Sequence, residues 1–286
     1  MARNRTIKIS GLNIRVHSKH SPSEYVELWK ALTRLRKPKT RGVTALMIGT
    51  QRPVDKEDPS SPIFGYFYRF VNIDPNDPWF DIEKHGVADD SDVAKVRIPE
   101  KLKPGLEEIP YFLDTKKHRL YFKSGGSGSD LSPNIAFSLI EYLALFPKIR
   151  ERFGEVDATI ITEEGILNQL LRWPVLKQIS VILKRPNPNE FDDDQEFYER
   201  LERRGLKLEE HKFVKSPEVD TITPDEEMLA MFKRAIEDGT YTQRGIDEEG
   251  ELRTASASAY PKVESFIYDP DHEVEMEMFI NAAKSF

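Results

Sequence analysis

The sequence predicts an α+β fold in which mixed or antiparallel sheets are covered by helices. Residues 6–16 and 63–72 alternate apolar and polar side chains, which is the period-two pattern of half-buried strands. Residues 21–24, Ser-Pro-Ser-Glu, form a capping box that opens an amphipathic helix. Strands and helices then alternate along the second half of the chain, a pattern typical of sheets covered by helices.

In the N-terminal part, the predicted strand at residues 6–16 bends at Gly11. The helix that follows has Pro22 in its first turn and ends before Pro38. Its large apolar residues share one face: Tyr25, Leu28, Trp29, Leu32 and Leu35. Further strands are predicted at residues 43–50, 63–72, 94–98, 111–113 and 118–122. The order strand, helix, strand, strand, short helix, strand indicates a ferredoxin-like unit.

The second half is more regular. Helices are predicted at residues 132–146, 163–172, 193–204, 224–237 and 271–283, the fourth capped by Thr223. Strands are predicted at residues 156–162, 177–184, 207–214, 240–245, 251–256 and 263–268, with a hairpin turn at 247–250. A Gly/Ser loop near residues 124–132 predicts a boundary between a basic α+β domain, 1–125, and an acidic α/β-type domain, 130–286.

The composition limits the classes of function. The chain has no Cys, which excludes disulfides, thiolate metal sites and a Cys nucleophile. Its first residues lack the apolar core of a signal peptide, and no apolar run is long enough to span a bilayer. We therefore expect a cytoplasmic protein without direct membrane insertion.

The charge is distributed unevenly. Residues 1–52 hold 12 Lys or Arg but only Glu24 and Glu27, a net charge of +10. Residues 218–286 hold 6 basic and 17 acidic side chains, a net charge of −11. A basic end favours an anionic partner, because clustered cations concentrate phosphates around them. The alternative is that the two ends attract each other, within one chain or across a dimer.

The densest basic cluster lies between a predicted helix and a predicted strand. It places five cations within eight residues: Arg34, Arg36, Lys37, Lys39 and Arg41. Together with Arg15 and Lys19, these are the predicted phosphate contacts of a nucleic-acid-binding protein. The alternative is a solvated helix end, where cations suit the helix dipole. The dipole accounts for Arg34, Arg36 and Lys37, but not for Lys39 and Arg41.

Four aromatic residues alternate along the predicted strand at 63–72 and therefore share one face of the sheet. They are Phe64, Tyr66, Tyr68 and Phe70. RNA-recognition modules use aromatic side chains at such positions to stack unpaired bases. The preferred alternative is a face that packs against the core.

The best case for an enzyme is a metal-dependent nuclease that uses Asp193, Glu210 and Lys212, since carboxylates hold Mg²⁺ and a lysine orients water. Residues 192–194 also fit the acidic first turn of a helix, which is the simpler interpretation. The Gly/Ser loop lacks a phosphate-loop signature, and the six His residues show no zinc spacing. We expect no cofactor and no metal site.

Several stretches together resemble an uncharacterised family of bacterial proteins of about this length, a domain of unknown function. They are residues 35–38, 73–80, 117–122, 152–156 and 184–188. The layout is also distantly similar to the A component of the lambda Rex phage-exclusion system, through a strand before a charged helix and a late hairpin before an acidic helix. That resemblance implies a cytoplasmic, dimeric DNA-binding protein that acts through a partner, and it identifies no site residue.

These observations lead to one functional hypothesis and two alternatives. The hypothesis is a non-enzymatic, homodimeric protein that binds DNA, preferably double-stranded, as a sensor or regulator in bacterial anti-phage defence. A membrane or effector protein would be its partner. The alternatives are the metal-dependent nuclease and a scaffold that binds a partner subunit.

Overall fold

The structure is a computed structural model that describes residues 4–17, 21–74, 76–99, 101–125, 131–184, 197, 199–201 and 203–286. The strands are β1 (Arg5–Val16), β2 (Lys39–Arg41), β3 (Thr44–Pro53), β4 (Ile63–Val71), β5 (Phe80–Asp81), β6 (Gly86–Val87), β7 (Glu107–Asp114), β8 (Arg119–Lys123), β9 (Val156–Ile160), β10 (Val175–Lys184), β11 (Leu208–Val214), β12 (Thr240–Ile246), β13 (Leu252–Ser256) and β14 (Glu264–Tyr268). The helices are α1 (Pro22–Leu35), α2 (Asp90–Val93), α3 (Pro133–Ala144), α4 (Pro147–Phe153), α5 (Ile166–Leu170), α6 (Glu226–Asp238) and α7 (Glu275–Ser285).

Two sheets carry most of the fold. The large sheet has the strand order β14-β1-β8-β7-β4-β3-β2, and β9 also pairs with β1. The small sheet has the order β11-β10-β12-β13. Every pairing between these strands is antiparallel, and helices cover the sheets. The predicted α+β class with antiparallel sheets is therefore confirmed.

The 12-residue strand β1 joins the two halves of the chain. One of its edges pairs with β8, and the other pairs with β14 along its first part and with β9 along its last. The strands β8, β7, β4, β3 and β2 follow one another across the sheet, so this part is not the predicted ferredoxin-like unit. The sheets also do not divide at the predicted boundary between residues 125 and 130, because β9 and β14 complete the N-terminal sheet.

Helix α1 forms where the capping box predicts it. The Ser21 hydroxyl accepts a hydrogen bond from the Glu24 amide at 3.2 Å, and Pro22 occupies the first turn. Its buried face packs on the large sheet, where the rings of Trp29 and Tyr111 meet edge to face with centroids 5.1 Å apart. The helix ends at Arg36, which has a positive φ of 49°.

Three clusters of buried side chains stabilise the fold. The largest fills the space between the large sheet and α1, α3 and α4. A second lies between the small sheet and α5 and α6, around Ile179 and Phe232. The third lies on the opposite face of the large sheet, where Phe279 of α7 packs near Tyr121. The large sheet is thus covered on both faces along β1 and β8.

Three local predictions were wrong. No strand forms at residues 94–98; the helical turn α2 precedes this stretch, which has too few buried apolar side chains to hold a strand. Helix α6 is capped by Asp225, not Thr223, since the Asp225 carboxylate accepts from the Met228 amide at 2.8 Å. Helix α5 is shorter than predicted and follows Gly165, whose φ is +78°. Much of the predicted helix at 193–204 lies outside the described residues.

Candidate nucleic-acid interface and buried charge network

The predicted phosphate contacts lie together at one edge of the large sheet. We call this set, Arg34, Arg36, Lys37, Lys39 and Arg41, the cation surface. The left-handed backbone at Arg36 ends α1 and turns the chain into the edge strand β2. Because β2 is short and pairs only with β3 in the sheet, its basic side chains remain at the molecular surface.

Four members of the cation surface are exposed, and the fifth is half-buried. The exposed residues are Arg34, Arg36, Lys37 and Arg41. Within the described part of the chain, none of these four forms an ion pair. The half-buried Lys39 donates from Nζ to the Ser138 carbonyl at 3.0 Å and lies 5.5 Å from the centre of the Tyr142 ring. The cation surface therefore presents uncompensated positive charge to solvent.

Arg15 and Lys19 do not extend this surface. Arg15 is 0% exposed, and its guanidinium binds two buried carboxylates, so the prediction that it contacts phosphate is wrong. Lys19 lies outside the described residues.

The aromatic residues of β4 do share one face, as their alternation predicts. Phe64, Tyr66, Tyr68 and Phe70 are half-buried and lie on the face opposite to α1. Phe64 packs beside the cluster around α7. Lys39 and Arg41 pair with β3 on the face that carries Leu46, which belongs to the core under α1. The aromatic row and these two cations therefore lie on opposite faces of the sheet.

The residues of the nuclease alternative do not form a described site. Glu210 and Lys212 lie on the exposed face of β11, opposite Ile182 and Ser180 of β10. Asp193 lies outside the described residues. Among the described residues, no group of three or more His, Asp or Glu side chains is arranged to hold a metal ion.

A buried charge network, which the sequence reasoning missed, connects the two sheets. The Arg15 guanidinium binds Asp157 Oδ1 through Nε at 2.9 Å and through Nη2 at 2.7 Å. Its Nη1 binds Asp238 Oδ1 at 2.9 Å, and Asn13 Nδ2 donates to the same oxygen at 3.2 Å. Asp157 lies on β9 of the large sheet, whereas Asp238 ends α6, which packs on the small sheet. One guanidinium thus bridges two carboxylates from different layers.

The network reaches solvent in a cleft of about 450 Å³. We call it the His17 cleft; its polar side chains are those of His17, Glu141, Arg150, Glu155, Asp157, Lys184 and Lys207. His17 Nε2 lies 3.1 Å from Asp157 Oδ2, and Lys184 Nζ lies 3.8 Å from the same oxygen. Lys207 pairs with Glu155 at 2.5 Å.

Two carboxyl groups beside this cleft have pKa values that move in opposite directions. Burial alone would raise the pKa of Asp157, but the His17 hydrogen bond and the charges of Arg15 and Lys184 outweigh burial and hold this pKa well below its usual range. Burial raises the pKa of Glu141, although the Ala158 amide donates to Glu141 Oε1 at 3.0 Å. The pKa of Asp157 is therefore lowered and that of Glu141 raised, although both groups lie beside the same cleft.

A signal for the network was present in the sequence. Asn13, Arg15 and His17 alternate with apolar residues in β1, so they share one face. Only the layer packed on that face shows whether such polar residues meet water or a protein partner. The alternative of mutual attraction between the basic and acidic ends holds for Arg15 with Asp238. The four exposed cations form no such pair with the described acidic residues of the same chain.

A family model described as a domain of unknown function, DUF4747, matches residues 5–284. No curated protein matches the chain. Within the described residues, none of the helices has the length and apolar character that crossing a membrane requires.

Proposed function

We propose that this chain, which belongs to the DUF4747 family, binds DNA through the cation surface. The observation that carries the proposal is the group of four exposed cations that form no ion pair with the described residues. Arg and Lys side chains of this kind bind phosphate oxygens without regard to base sequence. The regular spacing of phosphates on a duplex suits a cluster of fixed cations, so double-stranded DNA is the proposed form.

The surroundings of the cation surface support this function. Tyr142 and Phe146 are half-buried beside Lys39, with ring centroids 5.3 Å apart in a T-shaped pair. The nearby helix α4 adds the exposed side chains of Lys148 and Arg150. These two side chains add positive charge on a helix that contacts α1.

The proposed biological role is that of a sensor or regulator in bacterial anti-phage defence. It rests on the similarity of layout to the Rex phage-exclusion protein. In this role the protein is a cytoplasmic homodimer, because two copies double the number of phosphate contacts, and it acts through an effector or membrane protein partner.

The test is a DNA-binding measurement with a matched control. We expect Arg34→Glu/Arg36→Glu to weaken binding to any duplex at least about 10-fold at 50 mM salt, because two phosphate contacts become repulsive. The control is Lys116→Glu/Lys117→Glu, which makes the same change in net charge at the exposed turn between β7 and β8. The proposal is contradicted if both variants bind like the wild type or lose affinity equally. No binding at low salt favours the scaffold alternative.

A further inference from the structure

The His17 cleft contains chemistry that DNA binding does not use. It brings an imidazole, an ionised carboxylate, an ammonium group and a half-buried carboxyl group to one concave surface of about 450 Å³. Pockets of this size accommodate small molecules or a single nucleotide of a longer strand.

The imidazole of His17 is held in position by the carboxylate of Asp157. Its Nε2 faces Asp157 Oδ2 at 3.1 Å, while Asp157 Oδ1 is fixed by two bonds from Arg15. A carboxylate that accepts from one ring nitrogen fixes the tautomer and leaves the other nitrogen as a base. The ring makes no second hydrogen bond with the described residues, so Nδ1 is the atom available to a substrate.

The remaining groups suit a phosphate ester. Lys184 Nζ and His17 Nε2 both approach Asp157 Oδ2, so one phosphate group can contact both side chains. Arg150 adds positive charge on the α4 side of the cleft. Glu141 places a half-buried carboxyl group on the same surface as the imidazole. A carboxyl group and an imidazole that face one cleft are the kinds of group that general acid–base catalysis uses.

The cleft lies one helix away from the cation surface. Ser138 and Tyr142 of α3 contact Lys39, whereas Glu141 of the same helix lines the cleft. An α-helix with its side chains is about 10 Å across. A flexible single strand bound at the cation surface can therefore pass over the end of α3 into the cleft, which a rigid duplex cannot enter.

We propose that the His17 cleft is an acid–base site that cleaves single-stranded RNA, with His17 as the base, Glu141 as the acid and Lys184 as the phosphate-binding cation. Asp157 and Arg15 are positioning residues. Delivery of a long strand rests on the cation surface proposed above, but the chemistry does not. RNA is the substrate class because its 2′-hydroxyl supplies the nucleophile.

The reaction balances without a further reactant. His17 Nδ1 accepts the proton of the 2′-hydroxyl as the 2′-oxygen bonds to phosphorus. The bond from phosphorus to the 5′-oxygen breaks, and Glu141 gives its proton to that oxygen. The products are a 2′,3′-cyclic phosphate and a 5′-hydroxyl end. The proton on His17 then returns to Glu141 through solvent.

The test uses the full chain and three oligonucleotides of one sequence, made of RNA, 2′-O-methyl RNA and DNA, with chelator present. We expect only RNA to be cut, with cyclic phosphate ends identified by mass spectrometry. His17→Gln and Glu141→Gln should each slow cleavage about 100-fold or more. His272→Gln, at an exposed histidine of the C-terminal region, should leave the rate unchanged.

A ribodinucleotide substrate separates this proposal from DNA binding, because it needs no contact with the cation surface. Its cleavage by Arg34→Glu/Arg36→Glu at the wild-type rate supports the site even if DNA binding fails. Uncut RNA at every pH overturns the proposal, as does activity that survives His17→Gln or disappears with chelator. If the Gln variants melt at the wild-type temperature, misfolding is excluded as the cause of a lower cleavage rate. If a variant melts at a lower temperature, the proposal stands only if Lys184→Met also loses RNA cleavage.

Discussion

Replacing Arg15 with Met should destabilise the protein more than any surface substitution. The variant keeps most of the side-chain volume but leaves Asp157 and Asp238 without their shared cation. Their side chains are only 9% and 8% exposed, so water can replace the hydrogen bonds of the guanidinium only in part. Removing one partner from a buried ion pair costs about 3–5 kcal/mol of unfolding free energy. For a chain of this size, that corresponds to a fall in Tm of roughly 6–20 °C.

The pH dependence of the lost unfolding free energy is a stricter test of the buried charge network than the size of the loss. In the wild type the pKa of Asp157 is lowered, so its stabilisation is present above a pH of about 4, the unfolded-state pKa, and is lost as the pH falls further. In Arg15→Met, Asp157 keeps its burial but loses the guanidinium, so its folded-state pKa rises above that of the wild type even though His17 and Lys184 remain beside it. The penalty should therefore be largest at neutral pH and shrink as the pH falls toward about 4.

Urea unfolding at pH 7 and pH 4.5 provides the assay, with Arg152→Met as the matched control. Arg152 also pairs at 2.9 Å, with Glu27, but the two side chains are 50% and 36% exposed. An exposed pair contributes about 0–1 kcal/mol. A loss below about 1 kcal/mol for Arg15→Met, or a loss equal at both pH values, would refute the account of the network.

Two further predictions concern single residues of the N-terminal sheet. Burial lowers the pKa of His118 to about 4, so wild-type stability should fall by up to about 3 kcal/mol from pH 6.5 to 4. Asn tolerates the positive φ of 57° at this position, so His118→Asn should fold normally. In this variant the urea midpoint should change less between pH 6.5 and 4 than in the wild type, and an equal change would contradict the prediction. Gly65→Ala should cost more than about 2 kcal/mol, because its Cβ would lie 1.9 Å from the Thr50 carbonyl oxygen. Gly42→Ala has open space around the new Cβ and should lose only about 1 kcal/mol of stability, because the positive φ of 56° disfavours a side chain. Thermal melts of both variants measure these losses, and equal losses would contradict the prediction.

The elements that the sequence predicts well are determined by residues that lie close together along the chain. Helix α1 follows from its capping box and its apolar spacing, both of which are local. The β12–β13 hairpin follows from the turn at residues 247–250, where Gly250 has the positive φ that a turn requires. The common face of the four aromatic residues in β4 follows from period two alone.

The features that were missed depend on distant parts of the chain. The pairing of β9 and β14 with β1 spans more than a hundred residues, so no local pattern reveals that the two halves share a sheet. Arg15 lies in a strand that also carries Arg5 and Lys8, and a charged side chain in a strand is expected at the surface. Its burial depends on Asp157 and Asp238, which are 142 and 223 positions away. The His17 cleft was hidden for the same reason.

The salt dependence of DNA binding tests the central claim most directly. Each neutralised phosphate contributes about −0.9 to the slope of log K against log salt concentration. Fluorescence anisotropy with a labelled duplex should therefore give a slope of about −4.5 for the wild type if all five cations engage. The triple variant Arg34→Gln/Arg36→Gln/Arg41→Gln should reduce that slope to about −2. A wild-type slope near zero, or the same slope in the variant, would contradict DNA binding by the cation surface.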